Sequence, residues 1–187
     1  HEQGVGTGHT AEISSEEAKN GAFSGKITTG DDIDDTGQLI IFKPFPILSK
    51  IGVEISFTVN HNLTYEAFEL VIYDGENLHR AMIRYRYTEQ DFYYQNSGGG
   101  WTELATSIAL PFITYLFHTI KIVLDPLNDK YVRVLFDNES YDMSTISCRA
   151  TGSDILPRLT LQVLTRTKVA SNQSIYIDDV IITQNEP

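Results

Sequence analysis

Alternation of apolar and polar residues is the feature that most constrains this chain, and it is clearest over residues 51–59. There Val53, Ile55, Phe57 and Val59 fall on one side, and the polar residues between them fall on the other. Successive side chains of a β-strand point to opposite faces of its sheet. The segment is therefore predicted to be a strand with one buried face.

Short segments of the same kind recur along the chain, separated by turn residues such as Asp74-Gly75 and Asp125-Pro126. Strands are predicted at 22–29, 38–42, 51–59, 66–73, 81–88, 92–95, 116–124, 131–136, 140–143, 159–165 and 174–183. A single helical turn is predicted at residues 14–19, with Ser14 as its cap. Many short strands and almost no helical period predict an all-β fold, a two-sheet antiparallel β-sandwich of the jelly-roll type. We expect one domain over residues 1–187, with residues 1–11 only loosely ordered.

The charge balance argues against two classes of partner. The chain has 187 residues, 25 of them acidic and 14 basic, and a formal net charge of −11. Such a surface repels phosphate backbones and anionic headgroups, so we expect neither nucleic acid nor a membrane surface as partner. No apolar run approaches the ~20 residues of a spanning helix, so we do not expect membrane insertion either.

Cysteine usage and glycosylation motifs bear on the compartment. Cys148 is the only cysteine, so no disulfide can form within the chain, and we interpret it as a core or strand residue. Sequons at Asn62, Asn138 and Asn172 would accept glycans in a suitable host. The acidity and the sequons are compatible with an extracellular or cell-surface location, which we predict, within a larger multidomain or surface protein.

Several stretches carry a resemblance to a known superfamily. Phe117-His118-Thr119 opens one strand, Asp137-Asn138 ends another, and the last strand contains Ile177-Asp178-Asp179-Val180. Near the start, Asn20-Gly21-Ala22-Phe23-Ser24-Gly25-Lys26-Ile27 looks like the first strand of many carbohydrate-binding jelly rolls. This order resembles the concanavalin A-like lectin/glucanase superfamily and its laminin G-like relatives. The resemblance implies a lectin-like jelly roll that binds glycans across a concave sheet.

A cluster between residues 80 and 101 has the composition of a saccharide site. Alternation places Arg84 and Arg86 on one strand face, and Tyr93 and Gln95 share a face of the next strand. Trp101 follows a glycine-rich turn. Aromatic rings stack on the apolar faces of sugars, and Arg and Gln donate hydrogen bonds to hydroxyls. We predict that these five residues bind ligand; the alternative is that the aromatic residues fill the core.

The resemblance also implies a metal position. In many carbohydrate-binding jelly rolls, the aspartate that matches Asp178 joins oxygens near the first strand to hold a structural calcium ion. Here Glu12, Glu16 or the Lys19 carbonyl would contribute, which gives Asp178 and Glu12 as the expected ligands. Two alternatives stay open: a solvated pair of carboxylates at a strand end, and a cation-binding loop at residues 31–35.

Catalytic motifs are weak. Glucanases of this superfamily carry Glu-x-Asp-x-x-Glu on one strand, whereas Glu69 and Asp74 are five residues apart and would face opposite sides. A lyase site would combine His118 and a tyrosine with Arg84 or Arg86. We predict a non-catalytic polysaccharide- or glycan-binding domain. The alternatives are a polysaccharide-degrading hydrolase or lyase of the same fold, and a structural or adhesin domain with a protein partner.

Overall fold

The computed structural model describes residues 8–44 and 49–187. Fourteen strands form in this part of the chain, and it contains no helix long and apolar enough to cross a membrane. The strands are β1 (Thr10–Ser14), β2 (Ser24–Thr28), β3 (Thr36–Pro44), β4 (Ile51–Phe57), β5 (Leu63–Tyr73), β6 (Asn77–Arg86), β7 (Asp91–Gln95), β8 (Trp101–Ala105), β9 (His118–Asp125), β10 (Lys130–Phe136), β11 (Glu139–Asp142), β12 (Arg149–Gly152), β13 (Arg158–Thr167) and β14 (Ser174–Gln184). Residues 1–7 of the segment expected to be loosely ordered lie outside the described residues, whereas Thr10 and Ala11 belong to β1.

The strands form two sheets of seven, and all the strand pairs are antiparallel. The first sheet has the order β1-β2-β14-β4-β9-β10-β11. The second has the order β3-β13-β5-β6-β7-β8, with β12 paired to β6. The predicted fold class, an all-β sandwich of jelly-roll type, is confirmed.

The core lies between the two sheets and takes every second residue of the central strands. Aromatic pairs connect the layers: the rings of Phe57 and Phe68 lie 4.6 Å apart, and those of Phe92 and Phe136 lie 4.8 Å apart. All four side chains are buried. Edge and tilted ring packing adds to the free energy gained from burying their apolar area.

Three strands and one turn differ from the sequence-based prediction. Strands β1, β8 and β12 were not predicted. The helical turn at residues 14–19 is wrong: β1 continues through Ser14, and the Ser14 hydroxyl accepts a hydrogen bond from the Glu16 backbone N–H (3.1 Å). A serine side chain can satisfy a local turn as readily as a helix end, so the capping pattern did not require a helix.

The partner of β6 changes halfway along the strand. Residues 83–86 pair with β7, whereas residues 77–80 pair with β12. At the change, the buried Tyr131 of the first sheet reaches across the sandwich: its hydroxyl accepts a hydrogen bond from the Met82 N–H (2.9 Å) and donates one to the Gln95 carbonyl (2.8 Å). The hydroxyl therefore links two strands at the point where their own ladder ends.

Candidate functional site

The outer face of the second sheet carries an unusual share of the chain's positive charge. Of the seven arginines in the sequence, only Arg133 belongs to a strand of the first sheet. The other six lie on β6, β12 and β13, and they are Arg80, Arg84, Arg86, Arg149, Arg158 and Arg166. The alternate residues of β6 and β13 are buried, so these side chains point away from the core. We call this surface the arginine face.

Three of these arginines have acidic partners and three do not. Arg80 pairs with Glu69, Arg86 with Glu89, and Arg166 with Asp34, at N–O distances of 2.5, 2.5 and 3.1 Å. Within residues 8–44 and 49–187, no acidic side chain forms an ion pair with the remaining three, which are Arg84, Arg149 and Arg158. On a protein of net charge −11, this face therefore presents unneutralised positive charge.

Aromatic rings lie directly against the arginines. The Arg84 guanidinium lies 3.8 Å from the centre of the Trp101 ring and 5.4 Å from that of Tyr65. The Arg86 guanidinium lies 5.4 Å from the centre of the Tyr93 ring. These cation–π contacts hold the rings and the charged groups in one layer.

The structure brings together all five residues that the sequence analysis selected as ligand-binding. Arg84 is the register partner of Tyr93, and Gln95 is the partner of Trp101, so the pairs share one side of the sheet. Phe92, by contrast, is buried in the core. Their common location agrees with the prediction, and the binding role itself stays a prediction.

Several polar atoms on this face are buried without a hydrogen-bond partner among the described residues. They are Arg84 Nε, Gln95 Oε1, Arg158 Nε and Thr160 Oγ1. A buried polar group without a partner costs roughly 1–3 kcal/mol. Such groups need a reason to persist, and a ligand that supplies the missing hydrogen bonds would be one.

Glu69 lies near the middle of the face and is 4% exposed. Burial raises the pKa of its carboxyl, and the charge of Arg80 opposes that shift. Both residues line a depression of about 590 Å³ that also contacts Tyr73 and Arg158, whose guanidinium lies 4.7 Å from the centre of the Tyr73 ring. This volume falls within the ~300–1,000 Å³ of typical ligand pockets.

Sequence reasoning missed this second half of the face. Tyr73 and Arg158 are register partners although 85 positions separate them in the sequence, and Gln162 is the partner of Glu69. The alternation of polar residues along β13, with Arg158, Thr160 and Gln162 at every second position, was a signal that could have found it.

The lyase arrangement built on His118 is wrong. His118 is buried on β9 in the first sheet, where its Nδ1 lies 2.7 Å from Asp137 Oδ2. Its ring stacks on Phe136 at a centroid distance of 5.7 Å, on the core side. Since the second sheet lies between His118 and the arginine face, His118 cannot act together with Arg84 or Arg86.

The expected calcium ligands are engaged differently. Asp178 Oδ2 accepts hydrogen bonds from the backbone N–H groups of Lys19 (2.9 Å) and Asn20 (3.1 Å), next to an irregularity in the pairing of β14. Glu12 is exposed on β1, opposite Lys26. The ammonium of Lys19 lies 3.6 Å from the neighbouring Asp179 Oδ2. Calcium bound by Asp178 and Glu12 remains a prediction.

The acidic loop at residues 31–35 brings three other carboxylates close together. Carboxylate oxygens of Asp31, Asp32 and Asp35 lie within 4.8 Å of one another, on exposed or half-buried residues. The Asp32 N–H donates to Asp35 Oδ2 (3.1 Å), and Asp34 pairs with Arg166. Exposed acidic groups of this kind are usually solvated, and we assign them no ligand.

Comparison with known proteins gives fold relatives only. No protein-family model matches the chain, and no curated protein matches its sequence. Among solved structures, it is similar to an endo-beta-1,4-glucuronan lyase from the fungus Trichoderma reesei, with a TM-score of 0.64 and 10% identity over 98% of this chain and 90% of the lyase. The carbohydrate recognition domain of Emp47p has a TM-score of 0.55 and 13% identity (96% and 88% covered), and the metal-free form of the Emp46p domain has 0.54 and 10% (93% and 87%). This chain therefore has the jelly-roll β-sandwich of the concanavalin A-like fold.

Proposed function

We propose that this chain is a carbohydrate-binding domain whose arginine face binds a polysaccharide that carries carboxylate groups. The observation that carries the proposal is the gathering of six of seven arginines, with aromatic rings among them, on one sheet of an acidic protein. An extracellular or cell-surface location, as part of a larger protein, belongs to the same proposal.

Charge complementarity favours an acidic glycan over a neutral one. Guanidinium groups bind carboxylates through paired, charge-assisted hydrogen bonds. Arg84 and Arg158 have no acidic partner among the described residues, and in each of them Nε is buried without a hydrogen bond. A bound uronate would supply both the charge and the acceptor atoms that these side chains lack.

The aromatic rings supply the other half of sugar recognition. Trp101, Tyr93 and Tyr73 lie on the same face as Gln95 and Thr160. Rings of this kind stack on the apolar side of a pyranose, while the amide and hydroxyl groups bind its hydroxyls. The named activities of the fold relatives, a glucuronan lyase and two carbohydrate recognition domains, support the same class of ligand.

A matched pair of oligosaccharides tests the proposal. We expect calorimetry to show that β-1,4-linked oligoglucuronate binds at least tenfold more tightly than cello-oligosaccharide of the same length, which has a hydroxymethyl group in place of each carboxylate. Binding should weaken as salt is added, because screening reduces the attraction between exposed charges. Equal affinity for the two sugars would contradict an acidic ligand but leave sugar binding intact.

The site itself is tested by replacing two arginines together. Arg84→Ala with Arg86→Ala should weaken binding of oligoglucuronate at least tenfold, since each removes a donor of charge-assisted hydrogen bonds. Arg133→Ala, on the first sheet, is the control of the same residue type and should change the Kd less than twofold. Binding that survives the double substitution would defeat this site assignment.

The depression around Tyr73 favours β-elimination as a second candidate. In that reaction a base removes the proton at C5 of a uronate, a C4–C5 double bond forms, and the C4–O bond breaks as the departing sugar oxygen takes up a proton from the group that served as the base. Tyr73 beside Arg158 would provide a hydroxyl for the base and a cation for the carboxylate. Growth of ultraviolet absorbance from unsaturated uronate would show this activity. Tight binding without such growth would leave the binding role alone.

A further inference from the structure

A separate group of side chains, of types that can bind metal ions, lies beside the turns that end β5 and β9. His79 Nδ1 lies 2.8 Å from Asp129 Oδ1, and His79 Nε2 lies 3.0 Å from Asp74 Oδ2. The backbone N–H of Cys148 donates to the Asp129 carbonyl (2.9 Å), which places its thiol nearby. One ligand atom from each of His79, Asp129 and Cys148 lies within 4.8 Å of the other two.

The histidine is held in the orientation that metal sites use. A neutral imidazole carries one N–H, and donating it from Nε2 to Asp74 leaves a lone pair on Nδ1. Asp129 Oδ1 lies 2.8 Å from that Nδ1, so a metal ion bound by both atoms would need them to move slightly apart. A carboxylate on the far nitrogen of a histidine is the arrangement that orients it toward a metal.

We propose that His79, Asp129 and Cys148 bind Zn²⁺, with Asp74 positioning the imidazole. Nitrogen, thiolate and carboxylate donors suit zinc, whereas calcium and magnesium prefer sets made only of oxygen. Cys148 is 2% exposed and His79 is 3% exposed, while Asp129 faces solvent and leaves a route for the ion. Three protein ligands leave a fourth position for water.

The site would add a metal link between three parts of the chain that already contact one another through hydrogen bonds. Asp129 ends the turn between β9 and β10 in the first sheet, while His79 belongs to β6 in the second. Cys148 immediately precedes β12, whose Arg149 pairs with Arg80 on the arginine face. A zinc ion would therefore fix β12 against β6 and stabilise the folded chain by binding it in preference to the unfolded one.

Cobalt titration of the whole chain tests the inference. Because Cys148 is the only cysteine, a thiolate-to-cobalt charge-transfer band in the near ultraviolet can arise from no other residue. We expect one Co²⁺ per chain, with that band, and its loss when Zn²⁺ is added. Cys148→Ser should abolish the band, and Asp129→Asn should weaken binding at least tenfold. Since Asp129 is exposed, that variant should retain the fold, which near-ultraviolet circular dichroism checks.

A second variant separates this site from the acidic loop. Asp32→Asn removes one carboxylate of the group at residues 31–35 and should leave the band and the affinity unchanged. Asp74→Asn removes the acceptor for His79 but keeps an amide oxygen for the backbone N–H groups of Glu76 and Asn77, and it should weaken Co²⁺ binding about tenfold. Absence of the band, or cobalt binding that responds to Asp32→Asn but not to Asp129→Asn, would overturn the assignment.

Discussion

Glu66→Gln should remove a pH dependence of stability. Between pH 4.5 and pH 7, the free energy of unfolding of the variant should rise by about 3 kcal/mol relative to that of the wild type. Glu66 points into the core, is 0% exposed, and lies beside the Tyr87 hydroxyl. Burial raises its pKa from 4.5 to about 8, and the neighbouring Tyr87 hydroxyl opposes the shift. The folded protein therefore keeps a proton that the unfolded chain loses above pH 4.5.

The sign of the effect follows from that proton. Because the folded state binds it more tightly, stability falls as the pH rises from 4.5 to about 8, by ~1.4 kcal/mol for each unit. Above pH 8 the loss is complete. Glutamine has the same shape and does not titrate, so this loss should vanish in the variant.

Urea unfolding at several pH values measures this difference. Glu66→Met, which is uncharged but has no amide, should flatten the same pH interval, so agreement between the two variants would assign the effect to the charge. Parallel loss of stability in the wild type and both variants between pH 4.5 and 8 would show that Glu66 does not hold the proton.

Tyr131→Phe should lower the free energy of unfolding by about 2–4 kcal/mol, although it removes a single oxygen. That oxygen accepts from the Met82 N–H and donates to the Gln95 carbonyl inside the core. Phenylalanine would leave both backbone groups buried without partners, at roughly 1–3 kcal/mol for each. Polysaccharide binding should weaken as well, because Gln95 belongs to the arginine face.

Tyr94→Phe provides the matched control. Tyr94 contacts the Tyr131 ring at a centroid distance of 6.0 Å and packs against the same core, but its hydroxyl makes none of the hydrogen bonds that link β6 and β7. We expect a change below about 0.5 kcal/mol, as for substitutions away from such features. Equal losses of unfolding free energy for the two variants, measured in urea, would mean that the hydrogen bonds of the Tyr131 hydroxyl to Met82 and Gln95 do not stabilise the fold.

Alternating burial explains the prediction of some strands, although β4, β5 and β11 were also predicted and do not alternate in burial. Strand β6 is the clearest case: Ile83 and Tyr85 are buried while Arg84 and Arg86 are not, as the period of two requires. The three missed strands lack this signal. The four residues of β12 are all exposed, and its backbone pairing with β6, rather than its side chains, makes it a strand.

Half of the candidate site could be predicted because it is local in sequence. Arg84, Tyr93 and Trp101 lie on three consecutive strands joined by short turns, so alternation alone placed them together. Arg158 reaches the same face only through the pairing of β13 with β5. Alternation along β13 predicts that Arg158 faces outward, but it does not predict which strands β13 pairs with.

The candidate metal ligands could not be placed correctly from the sequence pattern either. Asp178 was selected from its place in a strand motif, yet its carboxylate accepts hydrogen bonds from two backbone amides of a loop about 160 residues earlier. His79, Asp129 and Cys148 belong to three turns or strand ends, with no regular spacing. Their meeting follows from the stacking of the two sheets, which a one-dimensional pattern does not contain.

The strand order also has a consequence for biosynthesis. In the first sheet β14 separates β2 from β4, and in the second β13 separates β3 from β5. Both sheets therefore stay divided, with open backbone edges, until the ribosome has translated the codons for these last two strands. The nascent polypeptide would therefore expose these unpaired backbone edges until β13 and β14 have been synthesised.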